Sequence, residues 1–347
     1  MTCEARAQPR LAGASELQRP LDRGFYLVQD PFGVRKAIVP LFRLRTDGQM
    51  LGLGTTFALD PWGRFLTAEH VVADFKASRE PGVSRHARLS SKAPDAAIIA
   101  FLGMGVVFGR VGIPPEFMIP VHGILSLTVP VDNPIAVLQG RPASKSLDLA
   151  VLFFEHDVAG KAHTLPIRSR PPSPTVGDRV TAMGFAKIDT FEGDAQAANR
   201  ISEGLYAAEG RVTELYPSGR DLAHPTPVFE VEGHWPSGMS GGPVFNKDGE
   251  VIGVVSRSLT VDGSDDGIGW ATWLGAFELS RWVPSLTAVN PDWRRGWAVI
   301  SQTTGRLVGV FPMRDQALQA LPRYSDCEVR FVQWRIGSDD FVEEGRD

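Results

Sequence analysis

Ser240 stands in Pro236-Ser237-Gly238-Met239-Ser240-Gly241-Gly242-Pro243-Val244, a serine framed by glycines on both sides. A hydroxyl that attacks a carbonyl must stand clear of its own backbone, and amides must face the oxygen that turns negative. Glycine reaches backbone angles closed to other residues and leaves space for the incoming group. The expected oxyanion donors are the N–H groups of Gly238 and Ser240. Two more positions complete a nucleophilic set. His70 follows the strand-like run Phe65-Leu66-Thr67-Ala68 in a turn of small residues, and Asp148 stands at the mouth of the apolar run Leu149 to Phe154. A carboxylate held there can accept from one imidazole nitrogen and stabilise the imidazolium formed when the other nitrogen takes the serine proton. Asp132 and Asp157 are nearby alternatives for that carboxylate.

Gly238-Met239-Ser240-Gly241-Gly242 also fits the G-x-S-x-G elbow of α/β-hydrolases, whose histidine follows the serine. All seven histidines of this chain (His70, His86, His122, His156, His163, His224 and His234) precede Ser240. An enzyme of that kind would have no base here.

The elements that must position these residues are short strands. Three strand-like runs, 37–42, 54–58 and 64–68, are separated by turns at Thr46-Asp47-Gly48 and Asp60-Pro61-Trp62-Gly63 and form a β-meander. Further apolar runs lie at 97–112, 119–130 and 149–154. Pro171-Pro172-Ser173-Pro174 can continue neither ladder nor helix and marks a seam. Beyond it, strands are expected at 179–185, 210–215, 228–232, 242–245, 251–256 and 268–273, then a closing helix at 274–284. The count predicts a mainly β protein of two six-stranded antiparallel barrels, one at about 35–160 and one at about 175–273. Residues 1–24 read as a flexible segment, 25–287 as the main domain, and 288–347 as a small β-β-α-β appendage. Because the appendage supplies none of the glycine, histidine or aspartate boxes, a core ending at Pro284 is expected to fold alone.

Composition narrows the function classes. The 347 residues carry a formal net charge of −4, with 43% hydrophobic and 22% charged residues. That suits a globular protein and offers no electrostatic attraction for nucleic acid or an anionic membrane. Cys3 and Cys327 are too few and too far apart for a disulfide framework or a zinc cluster, which suggests a reducing compartment. No leader-like or membrane-spanning apolar run appears, so a cytoplasmic location is expected. Val261-Asp262-Gly263-Ser264-Asp265-Asp266-Gly267 faintly resembles a calcium loop, but a solvated turn is the simpler reading. No metal or cofactor is expected.

Thr67-Ala68-Glu69-His70 resembles the T-A-x-H box of trypsin-like (chymotrypsin-clan) serine proteases. Asp148-Leu149-Ala150-Val151-Leu152 resembles their D-L-A-L-L strand, and Gly238 to Val244 their G-x-S-G-G-P-V box. Gly54-Thr55-Thr56-Phe57 is similar to the G-S-G-F strand before the histidine, and Met183-Gly184-Phe185 to the strand opening the second barrel. Gly267-Ile268-Gly269-Trp270-Ala271 resembles a strand of bacterial HtrA-type members, although the appendage resembles no PDZ domain. The resemblance covers roughly residues 35–285. It implies a two-barrel fold, a cleft between barrels, peptide bonds as substrate, and His70, Asp148 and Ser240 as catalytic residues.

It also implies substrate-binding roles for His234, six residues before Ser240 at the floor of the specificity pocket, and for Ser256. A surface-loop histidine is the alternative for His234. Met239 replaces the acidic residue that digestive members pair with a freshly cut N-terminus. The expected task is that of a selective regulatory protease in bacterial signalling, quality control or defence. Its appendage would then modulate substrate choice or bind a regulatory protein. The alternatives are a protease-like binding protein with vestigial catalysis, and an esterase.

Overall fold

A computed structural model of the chain describes residues 24–28, 33–77, 96–100, 115–130, 138–139, 144–154, 161–194, 197, 204–221, 225–260 and 267–344. Before the prolines come β1 (Phe25–Leu27), β2 (Ile38–Leu44), β3 (Met50–Ala58), β4 (Arg64–Thr67), β5 (Ala96–Ala100), β6 (Met118–Pro120), β7 (Gly123–Pro130) and β8 (Ser144–Phe153). After them come β9 (Arg179–Phe185), β10 (Glu192–Gly193), β11 (Leu205–Tyr216), β12 (Val228–Glu232), β13 (Pro243–Phe245), β14 (Val251–Thr260) and β15 (Gly267–Trp273). The appendage holds β16 (Trp293–Ser301), β17 (Leu307–Phe311), a helix α2 (Arg314–Ala320), β18 (Cys327–Arg335) and β19 (Phe341–Glu343). A four-residue α1 (Asp74–Ala77) follows β4.

The second half closes on itself. Its strands run β11-β12-β15-β14-β13-β9, and β9 pairs back onto β11, giving a six-stranded antiparallel barrel. Twelve-residue β11 closes it by pairing with β9 through Leu205–Arg211 and with β12 through Arg211–Tyr216. β1 adds to β11 on the outside. The first half runs β6-β5-β2-β3-β4-β8-β7, with β10 attached to β3. Its two end strands, β6 and β7, are joined by only Val121 and His122, so the sheet must curl round. Among the described residues no ladder joins its ends, so of the two expected six-stranded barrels the ladders of the described residues close one. β6 is three residues long and ends in Pro120, which has no N–H to donate to a partner.

Packing explains the near-continuous apolar text of β2. Ile38, Val39, Leu41 and Phe42 are all buried, and all four belong to one hydrophobic core. The predicted helix at 274–284 is instead two 3₁₀ turns, Leu274–Ala276 and Leu279–Arg281. The cause is a competing partner: the N–H of Leu279 donates to Ser169 O at 2.6 Å, so it cannot serve an α-helical ladder. The appendage is a four-stranded sheet in the order β17-β16-β18-β19, one strand more than the β-β-α-β expected. Of the other sequence expectations, the segment 1–23, most of the run 97–112, the alternatives Asp132 and Asp157, and the loop 261–266 lie outside the described residues. Among the described residues no helix is long and apolar enough to cross a membrane.

Candidate active site

β4 ends at Thr67, and the chain turns at extended Ala68 into the 3₁₀ turn Glu69–Val72, which carries His70 to the surface of the cleft. β8, paired to β4 through Ala150 and Thr67, brings Asp148 beside it. Asp148 has a left-handed backbone, φ 50°, rare for a residue with a side chain but tolerated by aspartate. Its strand bulges there: Ser126 and Thr128 of β7 pair with Ala150 and Ser146, so β8 carries two extra residues over that span. A bulge re-aims side chains, and this one turns a carboxylate out of an otherwise apolar strand towards His70.

The carboxylate is densely engaged. Its Oδ1 lies 2.9 Å from His70 Nδ1 and also accepts the His70 backbone N–H at 3.1 Å. Its Oδ2 lies 3.1 Å from the same Nδ1 and accepts the hydroxyl of Ser256. Burial pushes the Asp148 carboxyl up. The hydrogen bond and charge of His70, with the Ser256 hydroxyl, outweigh that and hold it below the usual carboxylate range.

Ser240 arrives from the other half, in the loop between β12 and β13. Gly238 and Gly241 on either side have φ of +85° and +86°, conformations that favour glycine. The amides of Met239, Gly241 and Gly242 donate to Pro236 O (3.3 Å), Val255 O (2.8 Å) and Met239 O (2.9 Å). Those of Gly238 and Ser240 find no partner among the described residues. The Ser240 hydroxyl donates to Ser256 O at 3.2 Å. Ser256 thus links the two other groups, with its carbonyl on Ser240 and its hydroxyl on Asp148.

Beside His70 lies a cavity of about 360 Å³ whose walls include Asp148, Ser256, Val228, Trp270, Arg220 and Arg257. The Trp270 indole N–H donates to Glu230 at 3.1 Å and the Arg220 guanidinium lies 4.2 Å over its ring, so this wall is fixed on two sides. Of the residues read from sequence, His70, Asp148, Ser240 and Ser256 come together. His234 does not line this cavity; it is half-buried, its ring edge-on to Phe25 of β1 at 5.8 Å. Arg220, Val228, Trp270 and Arg257 were not legible as site residues, because nothing in their local text distinguishes them from ordinary strand and loop positions.

Two solved structures similar to this chain are of the Rv3671c protease. The inactive form is 17% identical over 73% of this chain and 90% of that one, with a TM-score of 0.39. The active form, from M. tuberculosis, is 19% identical over 74% and 83%, with a TM-score of 0.39. No curated protein sequence matches the chain significantly. A sequence profile of the trypsin-like peptidase domain matches residues 54–254. With that match spanning more than half of its length, the chain belongs to the trypsin-like peptidase family and is a serine peptidase.

Proposed function

We propose that the chain is an endopeptidase in which Ser240 is the nucleophile, His70 the general base and acid, and Asp148 the carboxylate that orients the imidazole. The observation that carries this reading is the pair of contacts from His70 Nδ1 to Asp148, at 2.9 and 3.1 Å, beside a serine whose loop leaves two amides without a partner among the described residues. A carboxylate can only accept, so Nδ1 carries the proton and Nε2 presents a lone pair. Ser240 must turn its hydroxyl from Ser256 O towards that lone pair to react.

Oγ then bonds to the peptide carbonyl carbon while its proton passes to Nε2. The negative oxygen is received by the amides of Gly238 and Ser240. Collapse breaks the C–N bond, the proton passes from Nε2 to the leaving amine, and water hydrolyses the resulting ester by the same relay. The cavity beside His70 suits a substrate side chain on the acyl side. Segment 288–347 is proposed to tune substrate choice or receive a regulatory protein, as befits a selective enzyme.

The test is a fluorophosphonate probe followed by peptide mapping. Labelling at Ser240 that disappears in Ser240→Ala supports the reading; labelling at another serine, or equal labelling of the variant, overturns it.

A further inference from the structure

Thr55 lies on β3, in the first half of the molecule, yet its polar groups end on the nucleophile loop of the second. Its backbone N–H donates to Ser240 O at 2.8 Å. Its hydroxyl donates to Gly238 O at 3.0 Å and accepts the N–H of Phe185 at 2.9 Å. The direction of both hydroxyl bonds is fixed, because an amide can only donate and a carbonyl can only accept. Thr55 is fully buried, so water does not compete for these bonds.

We propose that Thr55 is a positioning residue that presets the oxyanion loop from across the interface; this rests on the reading of Ser240 as nucleophile. Peptide planarity makes the bonds informative. Holding the carbonyls of Gly238 and Ser240 fixes two peptide planes, and the peptide that carries the Ser240 N–H lies between them. The N–H groups in the two held planes, those of Met239 and Gly241, are themselves bonded to Pro236 O and Val255 O. The Ser240 amide is thereby left with its orientation determined on both sides.

Thr55 is in turn held by the strand that leads to His70. Its carbonyl accepts the hydroxyl of Thr67 at 2.7 Å, three residues before the histidine. One residue therefore references both the base and the nucleophile loop to the same point. Close packing removes slack: a Cβ on Gly241 would stand 2.1 Å from Thr55 O and 2.2 Å from Thr67 Oγ1, and one on Gly184 would stand 2.9 Å from Met239 Cα. Met239, buried and apolar, offers this loop no charge with which to capture an ammonium group. A neutral hydroxyl from the neighbouring half supplies the order instead.

The experiment uses the full chain with Thr55→Val, which removes the hydroxyl and keeps the size, Thr55→Ser, which restores it, and Thr56→Val as a control. Thr56→Val removes an equally buried hydroxyl, which donates to Leu66 O of β4 at 2.8 Å and not to the loop. Two quantities are read: the rate of Ser240 labelling by a fluorophosphonate, and kcat and KM for p-nitrophenyl acetate. Removing one oxyanion donor costs about 100- to 1,000-fold, so misaligning one should slow Thr55→Val about 30-fold in labelling and kcat, with KM little changed. Thr55→Ser and Thr56→Val should stay within about threefold of wild type, a difference of roughly 0.7 kcal/mol. Thr55→Ala makes the same comparison if the valine variant does not fold, each variant being read below its own melting temperature. Labelling of the hydroxyl-less variant at the wild-type rate, or an equal loss in Thr56→Val, overturns the proposal while leaving Ser240 as nucleophile. A wild type unlabelled at Ser240 overturns both.

Discussion

The backbone N–H of His70 and its own ring Nδ1 converge on one oxygen, Asp148 Oδ1, at 3.1 and 2.9 Å. The carboxylate thereby holds both the main chain and the ring of the histidine, so the imidazole plane is set relative to the turn that carries it. Replacing Asp148 with asparagine keeps the shape but lets the side chain impose the other tautomer. We expect Asp148→Asn to fold and to lose about 10⁴-fold in kcat. Near-wild-type turnover would show that another carboxylate does the work.

The same residue should report in acid. Asp148 is held below the usual carboxylate range in the folded chain, so between its folded and unfolded values the unfolded state binds the proton more readily. Its contribution is therefore present above the usual carboxylate range and lost as pH falls through its lowered folded value. Denaturant titrations over a series of pH values should show wild type losing more stability on acidification than Asp148→Asn. Parallel curves would count against this linkage.

Ser256→Ala removes the hydroxyl that Asp148 accepts while leaving the carbonyl that Ser240 donates to. A hydrogen bond to a charged acceptor contributes about 1.5–3 kcal/mol. Asp148 keeps its contacts to His70, and its side chain is 22% exposed, so water replaces part of the loss. We expect kcat to fall about tenfold, equivalent to about 1.4 kcal/mol, with KM little changed. A rise in KM at constant kcat would instead mark Ser256 as a substrate contact.

The appendage is locked to the body through a buried cation. Arg294 of β16 has no exposed surface and donates to the carbonyls of Leu59 (2.8 Å), Leu165 (2.9 Å), Pro291 (2.7 Å) and Trp293 (2.7 Å). Burial pushes its guanidinium down to about 10, against the opposing charges of Asp60 and Asp292, which leaves it charged at neutral pH. Ser285 also donates to Asp60 at 3.0 Å, and Trp62 packs on Trp334 with ring centroids 5.2 Å apart. Arg294→Met should therefore cost about 3–5 kcal/mol, the range for stranding buried polar partners. A chain ending at Pro284 should lose cooperative unfolding, in place of the self-sufficient core expected from sequence. A truncated chain that melts cooperatively near the wild-type temperature would show that the body does not need this latch.

Met239 is fully buried among Trp235, Val231 and Val244. Met239 has no charge to offer an ammonium group, and burying one unpaired costs several kcal/mol. A chain with a verified Met1 start should therefore react with the fluorophosphonate probe without prior cleavage. Met239→Asp should lower the melting temperature and confer no dependence on a cut N-terminus. An intact chain that stays inert and gains reactivity only after a cut upstream of β1 would contradict this.

Much of the candidate site was legible because its signals are local. The glycines around Ser240, the turn Asp60-Pro61-Trp62-Gly63 and the small residues before His70 each answer a backbone requirement within a few residues. The candidate helix at 274–284 misled for the opposite reason: its apolar spacing suits a helix, but Ser169, distant in sequence, takes the Leu279 N–H. Asp148 was legible as a polar residue in apolar text, whereas its left-handed backbone depends on β8 carrying two more residues than β7.

The amino-acid sequence by itself determined the candidate residue types, their order along the chain and the strand-rich class, because these follow from side-chain chemistry and short-range periodicity. Tertiary structure alone decided how β11 closes the second half into a barrel, how Thr55 and Ser256 tie the two halves together at Ser240, and that Arg294 docks the appendage. These are pairings between backbone groups far apart in sequence. Every residue presents the same N–H or C=O to such a pairing, so no residue type announces its partner.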